Sequence, residues 1–244
     1  MVLLLKLAVA HLLGDFPLQP NSWAVRKREL GILIRHLAVH GALLALALAP
    51  SEPTQRMWIA AGGLVVIHGI IDWLMGGGEK TLARLAVDQA LHAASLLLCV
   101  AVMSPTEWQH GEEWTFDHTS QPAPLAFVVG LLVSVWVGRY VIGAWITRVA
   151  SSLTSEAEDL RQGLADAGGR IGILERLLIF LAVIFRMEAL AGFVIGVKAL
   201  LRLPEATESK SRALAEYFLL GTLASAAWAV LAALVTRALM EAVR

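Results

Sequence analysis

The sequence predicts an all-α protein of the polytopic membrane class, a helical bundle with about six to eight membrane segments. Composition is the first reason. Apolar residues make up 57% of the 244-residue chain and charged residues only 16%, for a mean hydropathy of +0.68, which is too apolar for an ordinary soluble domain. The second is the recurrence of long apolar runs, several near the ~20 residues that a helix needs to cross a ~30 Å hydrocarbon layer. The third is loop charge. Arg26, Lys27 and Arg28 form the strongest basic cluster, whereas Ser104–Pro124 carries Glu107, Glu112, Glu113 and Asp117 with no Lys or Arg. Basic loops stay on the cytoplasmic side, so the two loops fall on opposite faces.

The first helix covers about Val2–Gly14 and is stopped by Pro17 and Pro20. Ala8-Val9-Ala10 has the form of a signal-peptidase site. The stretch before it is shorter than the usual minimum of about 15 residues and has no basic leader, so an uncleaved short helix is expected. After the basic loop a second helix runs outward to Ala49, and Pro50 and Pro53 mark a short external loop. A third helix returns over Met57–Met75. Gly76-Gly77-Gly78 with Lys80 and Arg84 turns the chain inside, and a fourth helix runs over Leu82–Met103. A fifth covers about Leu125–Val149. Ser151–Gly169 reads as a cytoplasmic connector holding a short surface helix that ends at Gly168-Gly169. As one helix, Ile171–Leu203 would run about 50 Å, well beyond the membrane core. Arg186 and Glu188 interrupt it near its centre and favour two shorter helices over one long tilted helix, a choice that reverses the direction of the last helix. The last helix is Leu214–Met240. The chain thus divides into residues 1–122, a four-helix bundle, and 123–244, further membrane helices with the connector 151–170.

Within the first hundred residues, paired polar groups recur on this apolar background. His11 and Asp15, His36 and His40, His68 and Asp72, and Asp88 and His92 are each four residues apart, and they hold five of the seven histidines. Residues four apart share a helix face. Ionisable groups inside a membrane are costly and mark a function by default. The pairs close the first and third helices and open the second and fourth at the same, inner end, so all four fall at one depth in the cytoplasmic half of the membrane.

Five imidazoles and three carboxylates suit zinc, manganese, iron or nickel, and the lack of sulfur disfavours copper(I). Eight groups exceed one tetrahedral shell. They fit two ions about 3.5–4 Å apart, or one ion whose imidazoles are oriented by outer carboxylates. Haem would use two imidazoles but gives the carboxylates no purpose. Structural alternatives stand beside the metal. Asp72 could pair with Lys80 or Arg84, Asp88 with Arg84, and each His–Asp pair could satisfy itself. Cys99, alone in an apolar run, reads as a small buried hydrophobe and excludes intrachain disulfides and thiolate clusters. The zero net charge leaves no basic face for nucleic acid.

In the second half, Gly168–Arg176 leads into an apolar helix bearing Glu175, with Arg170 and Arg176 beside it. Lys198 and Arg202 form an i,i+4 basic pair able to hold an anionic headgroup, and Glu216 follows on the last helix. Glu175 is thus a candidate catalytic carboxylate, and Arg170, Arg176, Lys198, Arg202 and Glu216 are candidate substrate contacts. The alternative is interfacial snorkelling with Glu175–Lys198 or Arg202–Glu216 pairs that fix helix register. Trp58, Trp73, Trp145 and Trp228 read as interface anchors or packing.

These residues carry a resemblance. His11-Leu-Leu-Gly-Asp15-Phe-Pro-Leu-Gln19, His36-Leu-Ala-Val-His40-Gly41, His68-Gly-Ile-Ile-Asp72 and Asp88-Gln-Ala-Leu-His92 resemble the bacterial membrane family called domain of unknown function 3307. Gly169–Arg176, Gly192…Lys198…Arg202 and Glu216–Thr222 look like the same family's later pattern. The resemblance implies a bacterial inner-membrane protein and brings no established activity. A looser likeness, in His/Asp-rich membrane helices, is to predicted membrane-bound metal-dependent hydrolases, and it is an analogy only. The expectation is therefore a metal-dependent hydrolase, zinc first among the ions, acting on an amphiphilic and lipid-like substrate, a phosphoester being one form, at the cytoplasmic leaflet. Bound water would be activated there, with Asp15 or Asp88 as general base. The alternative expectation is a transporter or sensor of divalent metal or protons using the same ligands. A di-iron oxidoreductase ranks third, because such sites carry more histidine and fewer aspartates.

Overall fold

The computed structural model describes residues 1–49, 53–77, 81–103, 122–150, 155–208 and 212–243, all helices and connections, with no strand among them. Five helical stretches are long and apolar enough to span a membrane: Leu30–Leu48, Gln55–Met75, Leu82–Met103, Pro122–Arg148 and Leu219–Ala242. The chain is a multi-pass membrane protein, as its composition predicts. Two compact units form, Met1–Val129 and Gly130–Ala242.

In the first unit, α1 (Val2–Asp15) ends because Pro17 has no N–H to give Leu13; Leu18 N–H donates to that carbonyl instead, at 3.0 Å. A five-residue helix that the sequence reading did not separate, α2 (Asn21–Val25), starts behind Pro20. Next come α3 (Leu30–Leu48), α4 (Gln55–Met75) and α5 (Leu82–Met103). The Thr54 hydroxyl caps α4 by accepting from Met57 N–H at 3.4 Å, and Thr81 accepts from Arg84 N–H at 3.2 Å at the start of α5. Each long helix packs on two others in the order α1–α3–α4–α5–α1, closing a four-helix ring. Its core is a leucine layer, Leu7, Leu44, Leu64 and Leu96, each one turn from a histidine of its own helix. Cys99 is buried against Ala60 O and Met103 Sδ, in the packing role expected of it. The faces turned away are apolar: α4 exposes Ile59, Val66, Ile70 and Leu74, with Trp58 and Trp73 near its two ends.

The second unit begins within α6 (Pro122–Leu132), which passes through a π-helical turn (Val133–Val137) into α7 (Gly138–Ala150). A π turn disturbs the regular hydrogen-bond ladder; here Val133 O keeps the Gly138 N–H, and side chains donate to two of the turn's carbonyls. Trp228 Nε1 donates to Val133 O at 3.1 Å, and the buried Arg176 guanidinium donates to Val135 O from Nε at 3.3 Å and Nη2 at 3.2 Å. A Cβ on Gly138 would stand 2.5 Å from the Trp228 ring nitrogen, so only glycine admits this contact.

α8 (Ser155–Ile184) corrects the connector reading. One helix runs from the polar stretch into the apolar one, straight through Gly168-Gly169. Two glycines cost about 1 kcal/mol each against alanine, which the helix-forming residues on either side absorb. The long apolar stretch does break, as its charges predict: α8 stops at Ile184 and α9 (Glu188–Glu208) begins four residues later. Met187 N–H bonds Ala182 O at 2.7 Å and Arg186 N–H bonds Val183 O at 3.2 Å, a Schellman end with Arg186 at φ 59° where glycine is usual. Arg186→Gly is accordingly expected to stabilise the protein by about 1 kcal/mol, because the exposed Arg186–Glu241 pair that it loses contributes little. A higher melting temperature in detergent checks this. The last helix, α10 (Arg212–Ala242), packs along α8 and α9. Most of the acidic stretch 104–124 lies outside the described residues.

Candidate metal centre

All eight paired residues lie in the first unit, and seven of them are buried; Asp88 is the half-buried one. Helix direction explains the arrangement. Going down α1 and α4 and up α3 and α5, the ring presents Asp15, His36, Asp72 and Asp88 at one level. His11, His40, His68 and His92 form the next, and the leucine layer follows.

The carboxylate of Asp15 is the hub. Its Oδ1 stands 3.1 Å from His36 Nε2, 3.1 Å from His40 Nε2 and 3.3 Å from His68 Nε2. Asp72 Oδ2 lies 3.0 Å from His36 Nε2 and 3.5 Å from His68 Nε2, and those two nitrogens face one another at 3.2 Å. Hydrogen bonds alone distribute poorly here: three imidazoles crowd one oxygen, while Asp15 Oδ2, Asp72 Oδ2 and His92 Nε2 are buried without a hydrogen-bond partner. An unsatisfied buried polar atom costs about 1–3 kcal/mol, and three in one cluster call for an explanation.

A cation would supply one. Ligands about 2.0–2.1 Å from a tetrahedral zinc are about 3.3–3.4 Å from each other. Asp15 Oδ1, His36 Nε2, His68 Nε2 and Asp72 Oδ2 define six separations, and the five given above span 3.0–3.5 Å. Two further groups bring ligand atoms within 4.8 Å of each other, His11 with Asp15, His40 and His68, and Asp15 with Asp88 and His92. The donor set therefore fits a divalent ion.

Three partners escaped the sequence reading. Lys27, valued there only for its charge in a loop, places Nζ 2.7 Å from Asp72 Oδ1. Burial opposes its charge, but the carboxylates of Asp15 and Asp72 outweigh that and hold its pKa above the usual lysine range. Its loop is fastened by the Arg26–Glu29 pair and by Arg28, which donates to Trp73 O at 3.3 Å. Gln19 Nε2 sits 3.3 Å from the His36 ring nitrogens, and its place in the first motif was the available signal. Gln89 bridges Asp88 Oδ2 at 3.0 Å and His11 Nε2 at 3.3 Å. Arg84 does not pair with Asp88 or Asp72; it donates to Met75 O at 2.6 and 3.1 Å. Because Lys27 and a metal would share Asp72, Lys27→Met is expected to tighten zinc binding about tenfold, or ~1.4 kcal/mol, in a competition titration with a chelator.

The second-half candidates lie in the other unit. Glu175 is ion-paired with Lys198, the register pair weighed from sequence. Arg176, expected to contact substrate, is instead buried with Val135 O and Ser225 Oγ, the latter at 3.0 Å, and its contacts hold the π turn. The side chains of Arg170, Arg202 and Glu216 lie outside the described residues.

Fold and site together define a helical membrane protein whose N-terminal four-helix ring encloses a buried His/Asp centre. Residues 3–118 match the family described as "Protein of unknown function (DUF3307)", and this part of the chain belongs to that family. The match takes in all eight paired residues and ends before the C-terminal motifs that were likened to the same family. No curated protein and no solved structure matches the chain.

Proposed function

We propose that the protein is a metal-dependent hydrolase acting on an amphiphilic substrate at the cytoplasmic leaflet. The observation that carries this reading is the quartet Asp15, His36, His68 and Asp72, drawn from α1, α3 and α4, with its five separations of 3.0–3.5 Å. A divalent ion held there would lower the pKa of a bound water to about 7 and supply hydroxide at neutral pH. Asp15 lies at the hub among the imidazoles, which leaves Asp88 as the general base: it is half-buried, and it belongs with Asp15 and His92 in one ligand group. The water oxygen joins the electrophilic centre, its proton passes to Asp88, and the leaving group takes that proton as it departs. Lys27 supports an anionic substrate such as a phosphoester, because its ammonium lies at the same carboxylate. The apolar outer face of α4 supports entry from the bilayer, and the basic loop Arg26–Arg28 supports the cytoplasmic side.

Elemental analysis of the detergent-purified protein tests this, beside His36→Ala and His68→Ala variants. Zinc, manganese or iron at one or more ions per chain, lost in both variants, is expected, followed by turnover in a screen of phospho- and acyl-lipids. A protein that takes up none of these ions after incubation with each would end the hydrolase reading. A second reading, a carrier or sensor of divalent metal or protons, draws support from the Lys27–Asp72 contact, since an ammonium already occupies part of the site as an exchangeable cation would. Retention separates the two: an enzyme keeps its ion through purification, and a carrier releases it.

A further inference from the structure

The second unit holds a polar cavity of its own. Glu175 on α8 and Lys198 on α9 form an ion pair in its wall, and Thr222 and Ser225 of α10 add two hydroxyls to a lining that is otherwise apolar, with Ile179 and Val194 in it. There is room for a single water-sized sphere. Ser225 Oγ accepts from the buried Arg176 at 3.0 Å and keeps a hydrogen to give. Thr222 and Ser225 fall in the first turns of the apolar run that follows Glu216, so the cavity lies in the outer turns of the membrane layer, within reach of a lipid headgroup.

Ionisable groups at that depth mark a function by default, and this pair is only partly sealed: 18% of the Lys198 side chain and 15% of the Glu175 side chain stay exposed. The surface around them is apolar. On α8, Leu174 and Leu178 are exposed one residue before and three residues after Glu175, and on α9, Phe193 and Leu200 are exposed on either side of Lys198. Acyl chains suit that surface, and the pair stands where their headgroup would lie.

The charges select the headgroup. An anion alone would take Lys198 and strand the Glu175 carboxylate in a low dielectric, and a cation alone would strand Lys198; either is strongly unfavourable. Only a headgroup that brings both charges replaces the pair and leaves neither end bare. We propose that the second unit binds a zwitterionic phospholipid with a primary ammonium, its phosphate on Lys198 and the Ser225 hydroxyl and its ammonium on Glu175. The phosphate oxygens accept from Lys198 Nζ and Ser225, and the ammonium donates to the carboxylate. A quaternary ammonium has no N–H to donate there and fits less well. This site is independent of the metal centre.

The test is native mass spectrometry of the full-length protein in detergent, offered equal amounts of phosphatidylethanolamine, phosphatidylcholine and phosphatidylglycerol. Beside it stands a double variant, Glu175→Gln with Lys198→Gln, which removes both charges together and strands neither. One phosphatidylethanolamine per chain is expected on the native protein, retained about tenfold over either competitor, and the double variant is expected to lose that preference. Equal retention of phosphatidylethanolamine and either competitor would overturn the proposal, and so would a preference that survives in the folded double variant. Glycerophosphoethanolamine, the same headgroup without acyl chains, separates the sources: if it displaces the lipid at equal concentration, the apolar surface contributes nothing and docking of a lipid is refuted. Should the double variant fail to fold, the native protein's ranking of the three lipids decides alone.

Discussion

Asp15→Asn is expected to lower the zinc affinity of the centre by more than about 100-fold, since loss of an outer-shell partner alone costs 10–100-fold, while the helices stay folded. Asparagine keeps the shape of the side chain and offers a carbonyl oxygen to the imidazoles around it. It lacks the negative charge and the second equivalent oxygen that three imidazoles and the buried Asp15 Oδ2 position imply. Metal per chain and a circular dichroism melt on the same sample check this. A variant with full metal content would show that Asp15 is a hydrogen-bond acceptor and nothing more.

The second large effect is expected at Gly14. A Cβ there would stand 2.4 Å from both Cε1 and Nε2 of His40. That ring has nowhere to go: it is buried and its Nε2 contacts Asp15 Oδ1 at 3.1 Å. Gly14→Ala must therefore push α1 off α3, separating Asp15 from His36 and His40. The expected outcome is a destabilisation of about 1–3 kcal/mol, the range for overpacking, together with loss of bound metal. Gly41→Ala is the control. It adjoins His40 in sequence, yet a Cβ at Gly41 meets nothing within 4 Å, so it is expected to leave metal content unchanged and to stabilise α3 by about 0.5–1 kcal/mol. Equal effects of the two substitutions on metal content would refute the close approach at Gly14.

Legibility differed between the two halves of the chain. In the first, four i,i+4 pairs on four apolar helices announced a polar cluster at one level, and the ring α1–α3–α4–α5 assembles it. In the second, Arg176 and Glu175 looked from sequence like chemistry stranded in a membrane. Their partners, Val135 O, Ser225 and Lys198, are remote in sequence, and the Val135 carbonyl lies in a π turn that no residue pattern marked.

The sequence by itself determined where the helices run, that they are membrane helices, and which residues share each polar face. Those properties follow from composition and the 3.6-residue period, both local. It favoured a break near Arg186 in the long stretch after residue 171, where a charged pair interrupts the apolar run, but one long tilted helix fitted the same residues until the structure showed the break. Tertiary structure alone decided the rest: that Asp15 is the hub, that Lys27 folds back onto Asp72, and that α8 runs unbroken through two glycines. Which atom of a ligand meets which depends on helix rotation and close approach, and a loop's return path depends on the surface it lands on. Those are properties of packing between segments, and they have no period in the chain to reveal them.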